Sequence, residues 1–198
     1  MWTKQLQIVC AAFAIAGVAF AGTHTPVRSA SGPQYAGAVT PLLDAASGKT
    51  IGSLGPGTAV DVAGQSGSST QVTVHGYSLH GSNAVVFTSP TKQIVEVSGF
   101  TGQALAGASQ TVSGKAYTAV TVSGWVATSA LVADVKTVWT AAASLYSDKC
   151  SACHALQPAK TYSANEWPGF MKTHAPNAGL DPGQTVLITA YLQTQSGK

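Results

Sequence analysis

Cys150-Ser151-Ala152-Cys153-His154 sets two thiols three residues apart, with an imidazole directly after the second. This is the Cys-x-x-Cys-His pattern of covalent c-type haem attachment. Thiols at that spacing reach the two vinyl groups on one edge of a haem and become thioethers. The histidine that follows then lies under the iron as its proximal ligand. The pattern is specific, because three reactive groups must fall in fixed register. A redox Cys-x-x-Cys wants a β-α-β setting, and a zinc site wants two further ligands. The third cysteine, Cys10, lies in an N-terminal apolar run, which leaves Cys150 and Cys153 as a matched pair. One covalent haem c is therefore expected, held at Cys150 and Cys153 with His154 on the iron.

The segment around the motif has helical spacing. Val138, Trp139, Ala142, Ala143, Leu145 and Tyr146 form an apolar stripe that runs into Cys150, with Asp134 or Thr137 as the cap. A second helix is expected from Ala164-Asn165-Glu166-Trp167, with Ser163 as N-cap and Glu166 as its capping-box partner. Trp167, Phe170, Met171 and His174 share its apolar face. Asp181-Pro182-Gly183-Gln184 opens a third, with Leu187, Ala190 and Tyr191 inward. Three short helices around one haem imply an all-α, class I-like cytochrome c domain over 135–198. Haem would complete a core that so short a segment cannot build alone. The helical segment is expected to hold haem by itself, and the rest to fold without it.

Residues 36–134 read as β throughout. Thr50 to Val62 gives a turn and then an alternating strand, and Gln71-Val72-Thr73-Val74-His75 alternates as a half-buried strand does. Ile94 to Val97, Thr118 to Val122 and Trp125-Val126 continue the pattern, broken by Gly64, Gly99, Gly114 and Gly124. The turn-strand Leu54-Gly55-Pro56-Gly57-Thr58 to Val62 and the later Gly124-Trp125-Val126 to Leu131 resemble the start and end of a bacterial SH3-like barrel. Tyr77 to Lys115 would be an insertion of further strands. The expected architecture is mixed and in two domains, an all-β SH3-like barrel before the all-α cytochrome domain. Chemistry is sparse in the β part: His75, His80, Asp61 and Glu96 form no acid pair or nucleophile-base set, and both histidines read as structural or surface residues. Gly52-x-x-Gly55-x-Gly57 lacks the helix and Lys-Ser/Thr of a phosphate loop.

At the N-terminus Lys4, the apolar run Ile8 to Phe20 and Ala19-Phe20-Ala21 read as a secretory signal over 1–21. The run is short for a membrane span, so an uncleaved anchor is the alternative and the one route to the membrane. Residues 22–35, rich in Thr, Ser, Pro and Gly, read as a linker. Export agrees with haem attachment, which follows translocation, and implies a periplasmic or membrane-tethered protein. A net charge of +3, scattered rather than clustered, argues against nucleic acid.

Trp125, Leu131, Trp139, Tyr146, Cys150 to His154, Tyr162, Asn165, Trp167-Pro168-Gly169 and Tyr191-Leu192-Gln193 together resemble a known family. It is the C-terminal part of the pentahaem c-type cytochromes that serve periplasmic trimethylamine N-oxide reductases. The resemblance covers residues 117 to 195 well and the earlier β region loosely. It implies an SH3-like region and a monohaem domain that pass electrons to a molybdopterin reductase. The family's tetrahaem quinol-oxidising part has no counterpart, since the chain has one Cys-x-x-Cys-His. A separate membrane multihaem quinol dehydrogenase would then stand upstream. The family's axial methionine falls where this chain has His174, and Met171 falls at a core position. The resemblance thus implies His154 and His174 as the axial pair, with Met171 the alternative distal ligand.

The function expected is electron relay to a terminal oxidoreductase, such as a molybdopterin N- or S-oxide reductase, with no bond chemistry by the protein. A haem enzyme or gas sensor would need an open iron position. The other alternative is a cell-envelope binding protein whose SH3-like domain recognises a ligand, with haem accessory.

Overall fold

The computed structural model describes residues 32–197, so the expected signal segment 1–21, Cys10 and linker residues 22–31 lie outside the described residues. Ten strands occur in chain order: β1 Gln34–Ala36, β2 Thr40–Leu43, β3 Thr50–Leu54, β4 Ala59–Ser66 and β5 Ser69–Leu79. Then follow β6 Val85–Phe87, β7 Val95–Ser98, β8 Ala104–Val112, β9 Lys115–Ala127 and β10 Leu131–Val132. Helices α1 Val135–Cys150, α2 Trp167–His174 and α3 Pro182–Gln195 complete the chain. None of them is long and apolar enough to cross a membrane.

The strands share one antiparallel sheet in the order β10-β1-β4-β5-β6-β7-β3-β2-β9-β8, and a further β5–β9 pairing closes β5-β6-β7-β3-β2-β9 into a six-strand barrel. The seam is long, with Ser69 opposite Ala127 at one end and Leu79 opposite Tyr117 at the other. Alternation drives the closure. Thr70, Val72, Val74, Gly76 and Ser78 of β5 all point inward, where they meet Val120, Val122 and Val126 of β9 and Leu42, Leu54, Val86 and Val97 from the other strands. Gly124 does not break β9 as its sequence position suggested. A Cβ there would lie 2.6 Å from the Leu42 side chain, so the glycine admits close packing inside an unbroken strand.

β8 extends β9 outward as an edge strand, and all of Leu105 to Thr111 are exposed. Ser113 and Gly114, both with positive φ, turn one strand into the other. The β8–β9 register shifts between Ala106 and Ser109, which leaves one extra residue on β8.

The expectation of an SH3-like barrel followed by an all-α cytochrome domain is overturned. The described chain is predominantly β, and β6 and β7, read from sequence as insertion, are ring members without which the barrel would stay open. The three helices, of 16, 8 and 14 residues, do not make an all-α cytochrome c domain. Their own apolar cluster is small, centred on Tyr146, Trp167, Met171, Ile188 and Leu192. The rest of their inner surface is completed by the barrel. The Trp139 ring lies against Gly57, where an added Cβ would sit 2.2 Å from a ring carbon. α3 is covered on two sides, so Ile188, Ala190, Leu192 and Gln193 are buried, whereas Leu187 and Tyr191, expected inward, are only half-buried.

Candidate functional site

The Asp134 side chain caps α1 by accepting from Lys136 N at 2.9 Å, and the helix then runs without interruption to Cys150. Cys153 and His154 follow in the turn beyond it, exposed, while Cys150 is half-buried. Burial, and secondarily the neighbouring Cys153, hold the Cys150 thiol above its ordinary range. Among the described residues these two cysteines are free thiols.

Facing them is α2, which starts later than expected, at Trp167. Ser163 N and Oγ do donate to Glu166 Oε2 at 2.8 and 2.7 Å. The residues between them form a turn; Pro168, at the second helical position, has no N–H that needs an acceptor there, and the Asn165 side chain bonds to the barrel. The expected face is graded by depth. Trp167 and Met171 are buried, Phe170 is half-buried and His174 is exposed. The Trp167 indole donates to Ala159 O at 3.0 Å and meets Tyr162 and Phe170 edge-on, at centroid distances of 5.0 and 5.2 Å.

Between the two elements lies an apolar cavity of about 260 Å³, lined by Cys150, Cys153, His154, Phe170, Met171 and His174 with Tyr146, Ala175 and Leu180 behind them. Lys149 is the one lining residue with a fixed charge. Both histidines are tied in the same way. Nδ1 of His154 lies 2.7 Å from Ala155 O, and Nδ1 of His174 lies 2.8 Å from Phe170 O. A carbonyl only accepts, so in each ring Nδ1 carries the proton and Nε2 keeps the lone pair a metal needs. Phe170 stacks on the His174 ring at 3.9 Å and 11° between planes, which fixes its orientation. Tyr146 donates to Gln157 O at 2.8 Å; burial first, then Cys150, raises its phenol above the ordinary range.

His75 and His80 lie away from this cavity on the barrel. His75 is exposed, with Nε2 3.2 Å from Asp61 Oδ2 and Nδ1 3.1 Å from Thr121 Oγ1. His80 Nδ1 lies 3.1 Å from Thr118 Oγ1. Sequence reasoning missed Asn165 and Gln193, whose side chains join the helices to the barrel; nothing in the local pattern of either marks that role.

A barrel joined to helices that carry Cys-x-x-Cys-His falls, by comparison with known proteins, in the class of c-type cytochromes, which are electron-transfer proteins. Residues 31–132, just over half of the 198, match the family model described as the TorC third cytochrome c domain, and the chain belongs to that family. The match falls on the β region, the part that sequence reading found the looser, and the Cys150–His154 motif lies beyond it. The chain is also 28% identical, over 160 residues, to the cytochrome c-type protein TorY of Escherichia coli O157:H7. That alignment covers 72% of this chain and 40% of TorY, so the chain spans well under half of that relative. No solved structure matches the chain.

Covalent haem c is implied by this family, and the cavity lining fits it. Two thiols stand at one edge, two Nε2 lone pairs are open, and the walls are apolar. The mouth is exposed at Cys153 and His154, so a group larger than the cavity itself is not shut out.

Proposed function

We propose that this chain is an exported c-type cytochrome with one haem, bound through Cys150 and Cys153, that relays electrons to a terminal oxidoreductase. Its acceptor class would be a molybdopterin N- or S-oxide reductase, and its donor a membrane multihaem quinol dehydrogenase. The Tor family description and the likeness to TorY support that pairing.

The observation that carries the reading is the matched preparation of His154 and His174. Each lines the cavity and has Nδ1 engaged by a backbone carbonyl, which orients the ring and raises the basicity of Nε2. His154 would be the proximal and His174 the distal ligand. Met171 is 1% exposed and belongs to the helical core cluster beside Trp167, the role of a packing methionine. Bound haem supplies one-electron iron chemistry, and two imidazoles favour a lower potential than imidazole with thioether. The remaining lining works by exclusion: Tyr146, Phe170, Ala175 and Leu180 keep water away, and Lys149 would offset the negative charge of the haem's carboxylates.

Attachment is tested by extraction into acid and organic solvent. Haem should stay with the chain, and Cys150→Ala or Cys153→Ala should each shift the pyridine haemochrome band of the wild type. Free extraction from the wild type would end the reading.

A further inference from the structure

The hydrogen bonds between the barrel and the helical segment run through one short stretch, residues 91–93 in the loop between β6 and β7. Asn165, at the entrance to α2, pairs with this segment as a neighbouring strand would. Its Oδ1 accepts from Gln93 N at 2.8 Å, and its Nδ2 donates to Thr91 O at 2.9 Å. Gln193, on α3 and 3% exposed, spends its Nε2 on two carbonyls, Gln93 O at 3.1 Å and Ala164 O at 2.8 Å. One amide thus joins the barrel, α3 and the start of α2. The segment is itself anchored: Gln93 Nε2 donates to the hydroxyl of buried Tyr117 on β9 at 2.5 Å. Lys92 N donates to Ser89 Oγ at 2.9 Å, and Lys92 Nζ to Thr194 O, in the last turn of α3, at 3.3 Å.

The two sides of the cavity therefore meet the barrel at separate places. α1, which leads to Cys150, Cys153 and His154, docks through Trp139 on Gly57. α2, which carries His174, docks through Asn165 and Gln193. Each of these helices packs on α3. The spacing across the cavity is then set by α3 and by the barrel acting as a frame. A metal ligand must be held within about 0.5 Å of its working position, which a loosely tethered eight-residue helix does not achieve.

We propose that Thr91–Gln93 is a latch that positions α2, and with it the His174 imidazole, and that Asn165 and Gln193 are the positioning residues through which it acts. The inference rests on the reading of His174 as the distal ligand. Neither residue lines the cavity. Their loss would strip partners from Gln93 N, Thr91 O, Gln93 O and Ala164 O.

The test uses the full-length haem-loaded protein, the double variant Asn165→Ala/Gln193→Leu and the barrel-core variant Val74→Ala as a control for general destabilisation. Carbon monoxide binding to the reduced protein is measured by spectroscopy, and amide hydrogen exchange is followed in α1 and α2. The double variant should bind carbon monoxide at least about ten-fold more tightly than the wild type. Its α2 amides should exchange faster while α1 keeps its protection, and Val74→Ala should show neither change. A double variant as unreactive as the wild type, or a control that opens the iron equally, overturns the latch. If the wild type itself binds carbon monoxide readily, the His174 assignment falls instead. The exchange data then decide: faster α2 exchange in the double variant supports the latch, and unchanged exchange removes it.

Discussion

His174 and Met171 stand three residues apart on α2, and the difference between them is one of depth and hydrogen bonding rather than of chemical capacity. Met171 is enclosed among Trp167 and Ile188, while His174 reaches the cavity with one nitrogen spoken for. His174→Ala should therefore open the iron to carbon monoxide and raise the reduction potential or leave the spectrum high-spin. Met171→Leu, close to isosteric, should leave the spectrum unchanged and cost less than about 1.5 kcal/mol of stability. A far-red sulfur-to-iron band in the oxidised wild type that vanishes in Met171→Leu would reverse the assignment. Glu96 carries a separate residue-scale prediction. Burial raises its carboxyl above the ordinary range, opposed by the 2.6 Å hydrogen bond that Thr88 Oγ1 donates to Oε1. The folded protein thus keeps a proton that the unfolded chain has already lost, so stability falls as pH rises through and above the ordinary carboxylate range. Glu96→Gln keeps the acceptor for Thr88 and should gain in Tm over the wild type at pH 7, with little gain at pH 4. An equal gain at both pH values would remove burial of the charge as the cause.

At the scale of elements, legibility followed how local the signal was. The Asp181 cap of α3 is written in four adjacent residues, and the structure carries it as a full capping box, with Gln184 N donating to Asp181 Oδ1 at 2.8 Å. The Asp134 cap and the Cys-x-x-Cys-His register are equally local. The inner face of α3 was misread because Leu187, Ile188, Ala190, Tyr191 and Leu192 run almost without polar interruption, and a helix covered on two sides shows little periodicity. β6, of three residues, is too short to show alternation, and Ile94 to Val97 reads as a strand without showing that it closes the ring. Asn165, Gln93 and Gln193 lie far apart in the chain, and no window of sequence joins them. The docking of α1 can be tested at this scale. Gly57 has φ of +77°, and any side chain there would meet the Trp139 ring, so Gly57→Ala should cost about 1 kcal/mol or more. Pairing it with Trp139→Ala, which makes room, should recover part of that loss in thermal unfolding. Additive losses would mean that the ring and the turn are not in essential contact.

For the whole molecule, the proposed frame makes the closure of the haem site depend on the barrel. A fragment over 135–198 should retain haem through its thioethers. Without the barrel it should bind carbon monoxide and lose much of its helical circular dichroism on mild heating, while the full chain resists both. A fragment as closed and as stable as the parent would show that the barrel is dispensable. The extra residue on β8 has a consequence of another kind. β8 has one unpaired side and no charged residue or proline along Ala104–Val112, the profile of a strand that recruits strands from neighbouring copies. Its bulge interrupts the row of free amides and carbonyls just where a flat partner would lie. Deleting Ala108 would regularise the ladder and should make concentrated solutions scatter light and deposit over hours, at unchanged haem content.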